Sequence, residues 1–66
     1  MTIYVNGEKL TFETELMSVK ELLEMLSYKE GFAVAINMTF VRNTAYEETM
    51  IKDGDILDIL APVQGG

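Results

Sequence analysis

An α+β fold, with one helix packed across one face of a mixed sheet of four to five strands, is predicted by three features of the sequence. Two short alternating segments flank the dipeptide Asn6-Gly7. A helix-start signature sits at Ser18 and leads into apolar residues at helical spacing. Short apolar segments separated by turn residues fill the rest, and the last of them, Ile56 to Leu60, stands close to the end of the chain.

The first element pair is read from alternation. Ile3 and Val5 alternate with Thr2, Tyr4 and Asn6, and Leu10 and Phe12 alternate with Lys9, Thr11 and Glu13. A period of two marks a half-buried strand. Asn-Gly between two such segments is the strongest short-range hairpin signal, because both turn positions need positive φ. Residues 2–13 are therefore predicted to form a hairpin.

Ser18-Val19-Lys20-Glu21 fits a capping box, in which the Ser hydroxyl caps an orphan amide and Glu21 reaches back. Met17 and Leu22 are placed to staple that start. Val19, Leu22, Leu23 and Leu26 then recur on one face. The spacing predicts a helix ending near Lys29 or Glu30, with Gly31 as its left-handed cap. Phe32 to Ile36 reads as a buried strand, Asn37-Met38-Thr39 as a turn and Phe40-Val41-Arg42 as a short strand. Residues 43–50 read as irregular, with one helical turn at Ala45-Tyr46-Glu47. Lys52-Asp53-Gly54-Asp55 reads as a turn, and Ile56 to Leu60 as the last strand.

The order β-β-α-β-β-β fits a β-grasp, or ubiquitin-like, arrangement over residues 1–66 as a single domain. Its first and last strands lie parallel in mid-sheet, and a tail at 62–66 projects from the last one. Pro62 lacks an amide donor, so strand pairing is expected to stop there.

Composition narrows the chemistry. The 66 residues include no Cys and no His. No disulfide, thiol nucleophile or imidazole base is available, and no metal site is expected. A chain this short has little room for a substrate pocket, so no enzyme activity is expected of it alone. The net charge of −6 argues against nucleic acid and against anionic membrane surfaces. It fits either plain solubility or a basic face on a partner protein. No apolar segment is long enough to span a membrane and no signal sequence is visible, which makes the cytoplasm the expected location. The five Met residues read as core filler, and Arg42 and Tyr46 as surface charge and packing.

The chain ends Ala61-Pro62-Val63-Gln64-Gly65-Gly66. Gly is about 7% of ordinary sequence, so a terminal pair arises by chance in about one chain in two hundred. A residue without Cβ lets the backbone pass through a narrow channel. A carboxylate is a poor electrophile and needs activation by another enzyme before it can react.

Ile3-Tyr4-Val5-Asn6-Gly7-Glu8, Val34-Ala35-Ile36-Asn37, Val41-Arg42, Ile51-Lys52-Asp53-Gly54-Asp55 and Gly65-Gly66 together resemble the thiamin-biosynthesis sulfur carrier (ThiS) family along essentially the whole chain. The resemblance implies a protein cosubstrate rather than a catalyst. Gly66 would carry first an adenylate and then a thiocarboxylate. Gly65, Gln64 and Val63 would enter the activating enzyme, a ubiquitin-activating-type adenylyltransferase (ThiF/MoeB-like) that uses ATP. The carrier itself binds no cofactor. A cysteine desulfurase would supply the sulfur and a thiazole synthase would receive it, with the free carrier a monomer. Two positions depart from the family pattern: Met38 stands where many members have Gly, and Arg42 where many have Pro. The Ala61-Pro62-Val63 approach leans toward the molybdopterin synthase small subunit (MoaD-like). A carrier for molybdopterin or another pathway, a protein modifier conjugated through Gly66, and a non-covalent β-grasp interaction module are the alternative readings.

Strand alternation adds a surface expectation. If Leu57 and Ile59 face the helix, Leu60 and Ile56 lie on the open face beside the tail. With Phe40 and Val41 they form the expected docking patch for partner enzymes.

Overall fold

The computed structural model describes residues 1–28 and 32–60. Its strands are β1 (Thr2–Val5), β2 (Glu8–Thr11), β3 (Met17–Ser18), β4 (Ala33–Ile36), β5 (Thr39–Val41), β6 (Met50–Ile51) and β7 (Ile56–Leu60), with one α-helix, α1 (Val19–Met25). The main sheet has the order β2-β1-β7-β4-β5, and β3 and β6 form a separate two-stranded ladder. β1 and β7 run parallel and every other pair is antiparallel. This is the β-grasp arrangement expected from the sequence.

Alternation sets the core. Ile3 and Val5 of β1, Val34 of β4 and Leu57 and Ile59 of β7 point to the same side, where Val19, Leu22 and Leu23 of α1 cover them. Ile3, Leu22 and Leu57 are fully buried. Fully burying such a side chain contributes about 1.5–3 kcal/mol, so this layer carries the stability of a small domain.

The start of α1 agrees with the sequence and shows more. The Ser18 Oγ accepts from the Glu21 N–H at 3.1 Å, and the Glu21 carboxylate accepts from the Ser18 N–H at 2.9 Å. The next two orphan amides are taken by the loop after β5: Val19 N–H donates to the Thr49 carbonyl at 2.9 Å and Lys20 N–H to the Tyr46 carbonyl at 3.1 Å. All donors of the first turn are thereby satisfied. The same contacts explain β3 and β6, which the sequence did not announce. Two-residue strands have no periodicity to read, yet they bring Ile51 opposite Met17 and bury it.

Three expectations need correction. The helix ends at Met25, earlier than Lys29 or Glu30. Ser27 takes a left-handed φ of 67°. Its N–H bonds the Glu24 carbonyl at 3.1 Å, and the Tyr28 N–H bonds the Leu23 carbonyl at 2.9 Å. This is a Schellman closure. The cause is visible in the spacing: continuing the stripe Val19, Leu22, Leu23, Leu26 would put Lys29 and Glu30 on the core face. The Gly31 cap lies outside the described residues. The helical turn near Tyr46 is a 3-10 turn over Asn43–Ala45. Among the methionines, Met17 is core and Met1 packs on it, but Met25, Met38 and Met50 are exposed.

Both hairpin tips use paired positive φ. Asn6 and Gly7 have φ of 52° and 84°, and Asn37 and Met38 have 50° and 72°. Met38 is 92% exposed, so no packing compensates its left-handed backbone. That conformation costs a non-Gly residue about 1–2 kcal/mol. Met38→Gly and Ser27→Gly are each expected to raise unfolding free energy by about 1 kcal/mol. Urea titration of the two singles and the double should show the gains adding.

Candidate functional site

The outward side of the sheet is built by the same alternation. Ile56, Asp58 and Leu60 of β7 are exposed between the buried Leu57 and Ile59. Leu60 stands opposite Ala33, and Asp58 opposite Ala35. Ala35 in turn stands opposite Phe40, and Tyr4 opposite both Ile56 and Lys9. The two alanines between β7 and β5 leave Leu60 and Phe40 as the projecting side chains at 69% and 65% exposure. Ile56 is 51% exposed. The open face therefore carries an apolar surface with one carboxylate, Asp58, in its middle. This face is the candidate interaction surface, since large exposed apolar patches are where proteins dock.

Leu60, Phe40 and Ile56 occupy the face expected for them. Val41 does not: it points to the other side of β5, pairs with Val34 and is 9% exposed in the core. Neighbours along a strand point to opposite faces, so Phe40 and Val41 cannot share one. Tyr4 is a further member that the sequence reading left out. Its signal was present, since Ile3 and Val5 turned inward leave Tyr4 outward. Gly66, Gly65, Gln64 and Val63 lie outside the described residues.

The edge of the sheet holds a second feature. Phe32 stacks on Tyr46 with ring centroids 5.9 Å apart and meets Tyr28 edge-on at 5.6 Å. With Phe40, Arg42, Asn43 and Thr44 these two stacked rings line an open groove. Tyr46 is half-buried against the core, as expected, and Arg42 is exposed.

Among the described residues no Asp, Glu, Lys or Arg side chain is buried. Among the described residues the one ion pair joins Lys20 and Glu47 at 3.0 Å, both largely in solvent. The hydrogen bond to Glu47 and its charge, with help from Glu24, raise the Lys20 pKa above its ordinary 10.5. Burial raises the Tyr46 phenol above 10.0. Among the described residues no group of three or more acidic, His or Cys side chains gathers to hold a metal ion. No helix there is long and apolar enough to cross a membrane.

The ThiS family model matches residues 1–66. The chain belongs to the ThiS family. Among solved structures it is similar to the crystal structure of thiamine biosynthesis protein ThiS from Geobacter metallireducens, at 32% identity, with 100% of both chains covered and a TM-score of 0.86. It is also similar to the solution structure of a thiamine biosynthesis protein from that organism, at 32% identity and a TM-score of 0.84, covering 100% of this chain and 88% of the other. None of the curated proteins matches it. Met38 holds a left-handed turn position that a non-Gly backbone resists. Arg42 lies on the exposed rim of the aromatic groove.

The pH dependence of stability follows from Tyr46 and Lys20. Both hold their protons more tightly when folded than when unfolded, so the unfolded state gains as each is titrated. The stability these two groups contribute should be fully present below about pH 10, the ordinary range of both, and be lost as pH rises above it. Denaturation followed by circular dichroism across that range checks the direction. Leu60→Ala and Phe40→Ala, on the open face, are expected to change stability by no more than about 0.5 kcal/mol, measured in the same way.

Proposed function

We propose that this protein is a sulfur carrier of thiamin biosynthesis that works through the carboxyl group of Gly66. The observation that carries the reading is the family match over residues 1–66. It takes in Gly65-Gly66 as well as the folded body. The structural neighbours, both thiamine biosynthesis proteins, favour that pathway over molybdopterin.

The chemistry places the catalytic burden on partners. The Gly66 carboxylate attacks the α-phosphate of ATP on a ThiF/MoeB-like adenylyltransferase, and pyrophosphate leaves. The acyl-adenylate is then open to attack by the terminal sulfur of a persulfide supplied by a cysteine desulfurase, and AMP leaves. A partner thiol cleaves the resulting acyl persulfide by taking up the second sulfur as a disulfide, which frees the thiocarboxylate. A thiazole synthase consumes that sulfur. None of these steps uses a side chain of the carrier, which accords with a chain that has neither Cys nor His. ATP is the partner's substrate, and the carrier holds no cofactor.

The open face supplies the docking surface for these enzymes. Leu60, the last described residue before Val63, Gln64, Gly65 and Gly66, is the natural anchor, with Phe40 and Ile56 beside it. A few central, fully desolvated side chains dominate protein interfaces, and truncating one lowers affinity about tenfold or more. The net charge of −6 favours encounter with a basic face.

Incubation with ATP, an activating enzyme and a sulfur donor should exchange one terminal oxygen for sulfur, read by intact mass. Removal of Gly66 should abolish the change. An unchanged mass where a control carrier is charged counts against the reading. Leu60→Asp should raise the KM for adenylation at least about tenfold and leave kcat nearly unaltered, measured by ATP–pyrophosphate exchange.

A further inference from the structure

The turn residue Asn6 does more than the turn asks of it. Its left-handed φ of 52° would be met equally by Gly. Its backbone N–H donates to the Leu57 carbonyl at 2.9 Å, continuing the parallel ladder that Tyr4 N–H begins on the Asp55 carbonyl at 3.0 Å. In a parallel ladder the next rung would join Ile59 N–H to the Asn6 main-chain carbonyl. The chain has already turned away, and the side chain takes the rung over. Ile59 N–H donates to Asn6 Oδ1 at 2.7 Å, and Asn6 Nδ2 donates to the Ile59 carbonyl at 3.1 Å. One amide side chain thus supplies both halves of a missing strand pairing, 53 residues away in sequence.

At the other end of β7 the second turn asparagine has a similar part. Asn37 N–H donates to the Ile56 carbonyl at 2.7 Å, Ile56 N–H donates to Asn37 Oδ1 at 3.0 Å, and Asn37 Nδ2 reaches Asp55 at 3.1 Å. The strand is held at its entry by one asparagine and near its exit by the other. Only Leu60 follows Ile59 before residues 61–66.

We infer that Asn6 is a positioning residue for the carrier reaction: its side-chain pairing with Ile59 holds the end of the described strand, Ile59-Leu60, in place beside β1. The inference rests on the carrier reading for its functional consequence, but not for the strand lock itself. Without the side chain, the buried Ile59 peptide groups facing β1 lose their partners. The final residues of β7 then open more often, and the Leu60 anchor loses its fixed place on the sheet.

Asn6→Gly removes the side chain and keeps the turn conformation. By amide hydrogen exchange, the Ile59 N–H should exchange about tenfold faster relative to Leu57 and Ile3, the size of one net hydrogen bond. Asn6→Asp keeps the acceptor for the Ile59 N–H but loses the donor to the Ile59 carbonyl, so it should restore only part of the protection. With a ThiF-type activating enzyme and ATP, Asn6→Gly should raise the KM for adenylation severalfold at unchanged kcat. The strand lock is overturned if Ile59 keeps its protection, or loses it only in step with Leu57 and Ile3. The positioning role is overturned if the wild-type chain is charged and Asn6→Gly is charged with the same KM. Failure of the wild-type chain to be charged refutes the carrier reading and the positioning role built on it, while the exchange comparison still decides the strand lock.

Discussion

The parallel pairing of β1 with β7 is the constraint on which the rest of this structure depends. It joins Tyr4 to Ile56 and Val5 to Leu57, from opposite ends of the chain. Parallel neighbours cannot be joined by a tight turn, so everything between them becomes the crossover. The helix lies across the sheet because it is part of that crossover, and its apolar stripe has one surface to cover. β7 is then flanked on both sides, by β1 and by β4. The C-terminal segment therefore leaves from the interior of the sheet, where the strand is held most firmly, and not from a frayed edge.

A second consequence concerns the loop between β5 and β7. In sequence it reads as irregular connection with one helical turn and a closing turn at Lys52-Asp53-Gly54-Asp55. In the fold its carbonyls at Tyr46 and Thr49 close the first turn of the helix, and Ile51 fills the core beneath. A helix of seven residues is too short to stand alone. It persists because the capping box, the loop carbonyls and the Schellman closure satisfy both ends while Val19, Leu22 and Leu23 are buried. The open face owes its shape to this inner layer, since the residues that bury Leu57 and Ile59 also oblige Ile56 and Leu60 to face out.

Much of this was legible. The β1–β2 hairpin, the capping box, the strand Ile56 to Leu60 and the outward Leu60 and Phe40 all follow from alternation and turn chemistry, which are local. The failures also have local causes. A two-residue strand such as β3 has no period to detect. The helix end was drawn to Gly31 because glycine is the usual left-handed cap, whereas Ser27 takes that conformation once the apolar stripe runs out at Leu26. Val41 was grouped with Phe40 because the two are adjacent, although adjacency in a strand means opposite faces. The pairing of Asn6 with Ile59 was out of reach altogether: the dipeptide Asn6-Gly7 announces a turn, and nothing in it names a partner so distant. Gly65 and Gly66 lie outside the described residues, so their part rests on residue type and on the proposed function.

The sequence Ile56-Leu57-Asp58-Ile59-Leu60 has a further meaning for how the sheet finds its alignment. Four of its side chains are large aliphatics of similar size, so sliding the strand by one position would exchange one greasy pair for another. Hydrophobicity alone scarcely distinguishes the two frames. Asp58 does, because in the shifted frame its carboxylate would be thrust among Leu22, Val34 and Ile3 with no cation to meet it. The lone acid on the outer face thus acts as a frame marker: it leaves the misaligned sheet no stable existence while taking almost nothing from the correct one.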